Sequence, residues 1–266
     1  MRTARHHPAR ATQNDGSGAV GTPLHERLQT YMAAASWDTI GIYPLITDYL
    51  TIGAGDRASL AAPAIGSYNA TQATDGARPT YSATALNGGP GLAFDGGDSL
   101  VTGAIDLTGV TAVVLVAVLD YSDAAASVLQ LQEDASNEIT ITTTAQVNGR
   151  ITGRYREGGT IHGTVQTSGT PSAGPIVLTL TLDVALTSSI LKLRVDGADS
   201  TDVVNVDLDP SGAMISNPLL NLGVTSFGDA MSYLAIFTGS SAVPLTEVGQ
   251  VETELIASLA SGDYLT

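Results

Sequence analysis

The feature that most constrains this chain is a succession of short apolar runs of period two, cut by turn residues, from about Ser67 onward. Ile176, Leu178, Leu180 and Leu182 share one side of their run. Leu191, Leu193 and Val195 alternate with Lys192 and Arg194, and Val204, Val206 and Leu208 alternate with Asn205 and Asp207. Successive side chains of a strand point to opposite faces, so such runs bury one face and wet the other. Leu92–Phe94, Ser99–Val101, Ser127–Gln132 and Ser232–Phe237 are further candidate strands. Asn148-Gly149 predicts a two-residue hairpin between Glu138–Val147 and Ile151–Arg156, because the tightest hairpin turns need positive φ at both central residues. Asp196-Gly197 opens another turn. Val110–Leu119 is apolar apart from Thr111 and reads as a buried strand, too short to cross a bilayer. The pattern predicts an all-β sandwich with one wet face per sheet.

The N-terminal part is different. Residues 1–21 form a basic, polar arm without periodicity. Residues 22–36 read as a short helix, with Thr22 as cap, Pro23 at the first helical position and Leu24, Leu28, Tyr31, Met32 and Ala35 on one face. Residues 37–66 read as a connector with extended pieces around Ile40–Ile46 and Tyr49–Ile52. Near the other end Val248, Val251, Glu252, Leu255, Ile256 and Leu259 follow helical spacing. The expected division is an anchoring segment over 1–66 and a sandwich domain over 67–266, the latter able to fold from about Gly66 alone.

Charge and composition exclude several classes. The 266 residues carry a net charge of −15, and the only basic cluster near the start is Arg2, Arg5 and Arg10. Acidic surfaces do not bind nucleic-acid backbones, which need clustered Lys and Arg. The chain has no cysteine, which excludes disulfides and thiolate metal sites. Residues 1–16 have no apolar core segment, so no signal peptide and no membrane insertion are expected. Histidines 6, 7, 25 and 162 do not converge by spacing, and no metal site is expected.

Several short pieces carry a family likeness. Asn69-Ala70-Thr71-Gln72-Ala73 and Arg78-Pro79-Thr80-Tyr81 lead to Phe94-Asp95-Gly96. Leu193-Arg194-Val195-Asp196-Gly197 and Met231–Phe237 follow, and then Leu245-Thr246-Glu247 ahead of Val251-Glu252 and Leu255. In this order they resemble the concanavalin-A-like (laminin-G-like) jelly-roll domains of phage virion structural proteins, over about Ser67 to the end. The resemblance implies a jelly roll with an N-terminal arm and helix and a C-terminal helix. It implies function weakly, because the fold carries lectins, adhesion modules, hydrolases and virion proteins. Glycosidases of this fold carry Glu-x-Asp-x-x-Glu on one strand, and the sequence has no such run.

Three constellations remain. Asp95 and Asp98 bracket Gly96-Gly97 at a strand end, where they could meet a sugar or cation; a structural turn is the favoured reading. Arg150, Arg154 and Arg156 could meet an anionic glycan or an acidic partner, since guanidinium forks suit carboxylates. Cross-strand pairing with Glu138 is the competing explanation, and the favoured one. Asp196, Asp199, Asp202, Asp207 and Asp209 form the densest acid run. It reads as a solvated hairpin tip, with calcium the one cofactor it could hold.

These readings together predict a protein that is not an enzyme. It is expected to be a virion component, made in the host cytoplasm, in a peripheral head decoration, head fibre or tail fibre. Its arm, through Arg2, Arg5 and Arg10, would join it to further copies and other virion proteins. Its sandwich would touch cell-surface polysaccharide. The alternative is a non-catalytic carbohydrate-binding module of a cellular protein.

Overall fold

The computed structural model describes residues 21–122, 126–144, 149–199, 201–207, 210 and 214–262. The arm residues Arg2, Arg5 and Arg10 lie outside the described residues, as does Asp209. Helix α1 (Leu24–Ala34) comes first. β1 (Asp38–Pro44), β2 (Leu50–Ile52), β3 (Ala58–Ala61), β4 (Ile65–Gly66) and β5 (Ala70–Thr71) follow, then β6 (Thr80–Leu86), β7 (Gly89–Ala93) and β8 (Leu100–Ala104). The long strands are β9 (Ala112–Tyr121), β10 (Ala126–Asp134), β11 (Asn137–Thr144), β12 (Arg150–Glu157), β13 (Thr160–Thr167) and β14 (Gly174–Asp183). β15 (Leu191–Val195), β16 (Ala198–Asp199), β17 (Thr201–Asp207), β18 (Leu219–Thr225) and β19 (Ala230–Gly239) lead into α2 (Leu245–Ser261).

Two antiparallel sheets form a sandwich, as the alternation predicts. The first runs β16-β15-β14-β9-β19-β1-β4, with β7 also on β19 and β6 on β7; the second runs β17-β13-β12-β11-β10-β18-β8-β5-β3-β2. Leu115, Leu119, Leu178, Leu180, Leu182, Leu193, Leu234 and Ile236 of the first sheet meet Leu129, Leu131, Ile139, Ile141, Ile151, Tyr155, Val165, Leu220 and Leu222 of the second. The motif residue Phe94 joins this core and stacks at a tilt on Phe227, 5.2 Å between centroids.

The expectation of one wet face per sheet holds for the second sheet only. The outer face of the first carries Val114, Val116, Val118, Val177, Tyr233, Ala235 and Phe237. It is sealed by Leu24, Leu28 and Met32 of α1 and by Val248, Val251, Leu255 and Leu259 of α2. The molecule is therefore three layers thick, helices on sheet on sheet. Every residue of β19 is buried, and all of β9 except Asp120. A strand enclosed on both faces needs apolar side chains on both, which is why Val110–Leu119 does not alternate.

The helices run antiparallel. Trp37, just past α1, donates its Nε1 to Ser241 Oγ at 3.2 Å, while Arg27 Nη2 and Tyr31 Oη donate to Glu254 at 3.1 and 2.8 Å. α1 begins one residue later than expected: Pro23 occupies the N-cap position and no side chain caps the helix.

Residues 38–66, expected as a connector, are built into both sheets. β1 pairs with β19 along its whole length and with β4 on its other side, while β2 and β3 extend the second sheet. The strands flanking the hairpin expected at Asn148-Gly149 do pair, as far as Thr144 with Arg150, and residues 145–148 of its turn lie outside the described residues. The Tyr121 hydroxyl holds its far end by donating to the Gly149 carbonyl. At the Asp196-Gly197 turn both residues take positive φ, 50° and 76°, as expected of a tight hairpin.

Candidate functional site

The second sheet has a face turned away from the core, and both helices lie on the other sheet. The strand period fixes what that face displays. Gln130 and Gln132 alternate with the buried Leu129 and Leu131, Glu138 and Thr140 with Ile139 and Ile141, and Thr152, Arg154 and Arg156 with Ile151, Gly153 and Tyr155. Register then aligns these into rows. One row reads Asn221, Gln130, Thr140, Arg154, Thr164 across β18-β10-β11-β12-β13; the next reads Leu219, Gln132, Glu138, Arg156, Ile161. The rows consist mainly of amide, hydroxyl, carboxylate and guanidinium groups.

Glu138 is the centre of this face. Its Oε1 accepts from Arg154 Nη2 at 2.5 Å and lies 3.4 Å from Arg156 Nη1, and its Oε2 accepts from Gln130 Nε2 at 2.8 Å. Arg156 Nη1 also donates to the Ala135 carbonyl at 3.0 Å. The long neighbours shade Glu138 to 4% exposure and Thr140 to 3%. Arg154 and Arg156 keep 34% and 27% of their side chains in solvent. Two guanidiniums thus share one carboxylate, and the cluster keeps a positive charge on an acidic protein. The Nε atoms of both arginines are buried without a hydrogen-bond partner. Glu157 and His162 lie at the margin, 3.9 Å apart.

The structure brings Arg154 and Arg156 together and leaves Arg150 apart. Arg150 sits at the start of β12 opposite Thr144, four residues or about 13 Å from Arg154 along the strand. The pairing with Glu138 weighed from sequence is present. Gln130, Thr140, Thr164 and Asn221 were not singled out by sequence reasoning. Alternation alone marks them as outward, but only register brings them into one row with Arg154.

Asp95 and Asp98 form the turn that the sequence favoured. Asp95 Oδ1 accepts from the Gly97 amide at 3.0 Å, and Asp98 Oδ2 accepts from the Asp95 amide at 3.1 Å. The turn is tied to the next loop, since Gly96 donates to the Phe227 carbonyl and Ser226 donates to Gly96. Asp98 is 3% exposed and its Oδ1 has no hydrogen-bond partner. Burial, with the Asp95 charge beside it, pushes the Asp98 carboxyl above the ordinary aspartate range.

In the acid run, Asp196 Oδ1 accepts from the Val177 amide at 2.9 Å, a structural role. Among the described residues no group of three or more His, Asp or Glu side chains could hold a metal ion. No described helix is long and apolar enough to cross a membrane.

No family model and no curated protein matches the sequence. Solved structures do resemble the fold. Domain 4 of an extracellular GH43 arabinanase from Geobacillus stearothermophilus, in complex with arabinotriose, superposes with a TM-score of 0.54 at 13% identity, over 81% of this chain and 98% of that one. A GH54 arabinofuranosidase gives 0.57 at 14% identity, over 87% of this chain and 65% of that one. A Trypanosoma rangeli sialidase gives 0.51 at 12% identity, over 85% of this chain and 33% of that one. The chain spans about two thirds of the arabinofuranosidase and one third of the sialidase. At these identities the likeness establishes the sandwich fold. The expectation that the chain is not an enzyme is overturned as well, because solved structures that share the sandwich include those of glycoside hydrolases. The missing Glu-x-Asp-x-x-Glu run excludes one arrangement of carboxylates, not catalysis by the fold.

Proposed function

We propose that this protein recognises carbohydrate on the outer face of β18-β10-β11-β12-β13. The observation that carries the reading is the row Asn221, Gln130, Thr140, Arg154, Thr164 on a face left free by both helices. Sugar hydroxyls both donate and accept, and Asn221, Gln130, Arg154 and Thr164, the members of this row that reach solvent, present both kinds of partner on a rigid sheet. The structural neighbours support the reading, since one of them is an arabinanase domain in complex with arabinotriose. The test is a panel of plant, bacterial and animal oligosaccharides assayed by calorimetry, with released reducing ends measured in the same samples. Glycan binding that weakens about tenfold or more in Gln130→Ala and Arg154→Ala is expected, each removing a hydrogen bond to the ligand. Binding unchanged in both variants overturns the reading.

We further propose that the chain serves as a surface-displayed virion component, as the likeness of its Arg78–Tyr81, Phe94–Gly96 and Met231–Phe237 pieces to phage jelly rolls suggests. Arg2, Arg5 and Arg10 then act as an assembly device toward sister copies or other virion proteins. Deleting residues 2–10 should lower incorporation into particles; normal occupancy of the truncated protein overturns this role.

A further inference from the structure

Resting on the carbohydrate reading above, we infer that the sugar this face takes is acidic, and that its carboxylate is bound by Arg154 and Arg156. Charge on this face is unbalanced. Two guanidiniums converge on one carboxylate, Glu138, and about a third of each arginine side chain remains open to solvent. Arg154 and Arg156 are two residues apart on one strand, so their stems stand about 7 Å apart on the same side of the sheet. One carboxylate can bridge two donors at that spacing.

The surroundings argue the same way. The whole chain is strongly acidic, and three of its eleven basic residues lie on β12. Around the pair, Gln130, Thr140, Thr152, Thr164 and Asn221 are neutral hydrogen-bonding groups. Glu157 is turned to the margin beside His162. Among the described residues, Glu138 is therefore the one carboxylate in the middle of the face, and it is nearly buried. Its role is to hold the two guanidiniums side by side through their Nη atoms. Glu138 and Gln130 fix the geometry of the pair, while the remaining N–H groups supply charge to a ligand. Arginine rather than lysine suits this arrangement, because a planar fork can donate to two acceptors at once. A neutral sugar would leave the excess charge unused.

The test compares acidic sugars with neutral isosteres on the full chain. Trigalacturonate and sialyllactose are each measured against their carboxyl methyl esters, by calorimetry at low and moderate salt. At least one acidic member should bind about tenfold or more tighter than its neutral counterpart, as expected for charge-assisted hydrogen bonds. The difference should shrink as salt rises, since the arginines are partly exposed. Arg154→Gln should remove the preference, bringing the affinity for the acidic member down to that for its neutral counterpart in the same variant. Glu138→Gln should strengthen acidic binding, because it keeps an acceptor for the arginines and removes the competing charge. A structural role for Glu138 alone would not move the acid-to-neutral ratio, and a thermal melt of each variant reports folding separately. Equal binding of acidic and neutral members overturns the inference while the carbohydrate reading stands. No binding of any sugar overturns both.

Discussion

At the scale of single residues, Asp98 is the group whose position has the clearest thermodynamic signature. Its carboxyl is buried beside Asp95, and its folded-state affinity for a proton is raised by desolvation first and by the Asp95 charge second. The native state therefore binds more protons than the unfolded chain between the ordinary aspartate value and the raised one. Stability falls as pH rises through that window. Asp98→Asn keeps an acceptor for the Asp95 amide and removes the charge. It should flatten this part of the stability profile and stabilise the protein at neutral pH. Urea denaturation of both forms between pH 3 and 7 checks it, and parallel profiles would show that Asp98 does not carry the slope. The turn chemistry was legible in the sequence, because Phe-Asp-Gly-Gly-Asp has the residue types of an Asx turn. Burial of Asp98 was not legible, since Phe227 and Ser226 close over the turn from 130 residues away in sequence.

At the scale of elements, α2 is fastened to β15 by one buried ion pair. Glu252 is 1% exposed, and its two oxygens accept from Arg194 Nε and Nη2, each at 2.9 Å. Arg194 Nη2 also donates to Gly197, so the pair locks the hairpin tip beneath the helix. Removing one partner leaves the other charged and uncompensated, which costs about 3–5 kcal/mol for a buried pair. Glu252→Ala should fall near the lower end, because Arg194 keeps a fifth of its side chain in water. Replacing both, as Arg194→Met with Glu252→Leu, should recover most of the loss in a denaturant melt.

Helical spacing in the sequence placed Glu252 on the inner face of α2, but its partner on a strand 58 residues earlier was not legible. The same division recurs in the strands. β14 and β15 were readable because one side of each alternates cleanly. β1 was readable as an extended piece around Ile40–Ile46, but its place in the first sheet was not, because its partner β19 lies about 190 residues away. The site divides likewise: alternation set Arg154 and Arg156 on one face, and only long-range register set Gln130 and Asn221 beside them.

At the scale of the whole molecule, the first sheet depends on what lies N-terminal to residue 67. Leu24, Leu28, Met32, Trp37 and Ile42 all pack into the layer between that sheet and the helices. Burying each such side chain contributes about 1.5–3 kcal/mol. Together they match the whole net stability of an ordinary domain, about 5–15 kcal/mol. A chain starting at residue 21 should therefore give a sharp thermal transition and full near-ultraviolet dichroism. One starting at Gly66 should lose both, contrary to the expectation that the sandwich folds from about Gly66 alone. A cooperative melt from the shorter chain would show that the sandwich suffices without α1 and β1–β3.

The three layers also give the molecule a front and a back. Gly21, where the described chain begins, leaves from the helical layer, and the arginine face lies beyond two further layers, on the opposite side. Layers of this kind pack about 10 Å apart, so some 20 Å of protein separates the two. A tether that joined the chain at Gly21 would hold the molecule by its back and leave Arg154 and Arg156 facing the medium. Many copies held this way on one surface would all look outward, and a polymer with repeating acidic sugars could be gripped at several points at once. A weak grip at each point would then add up to a durable hold.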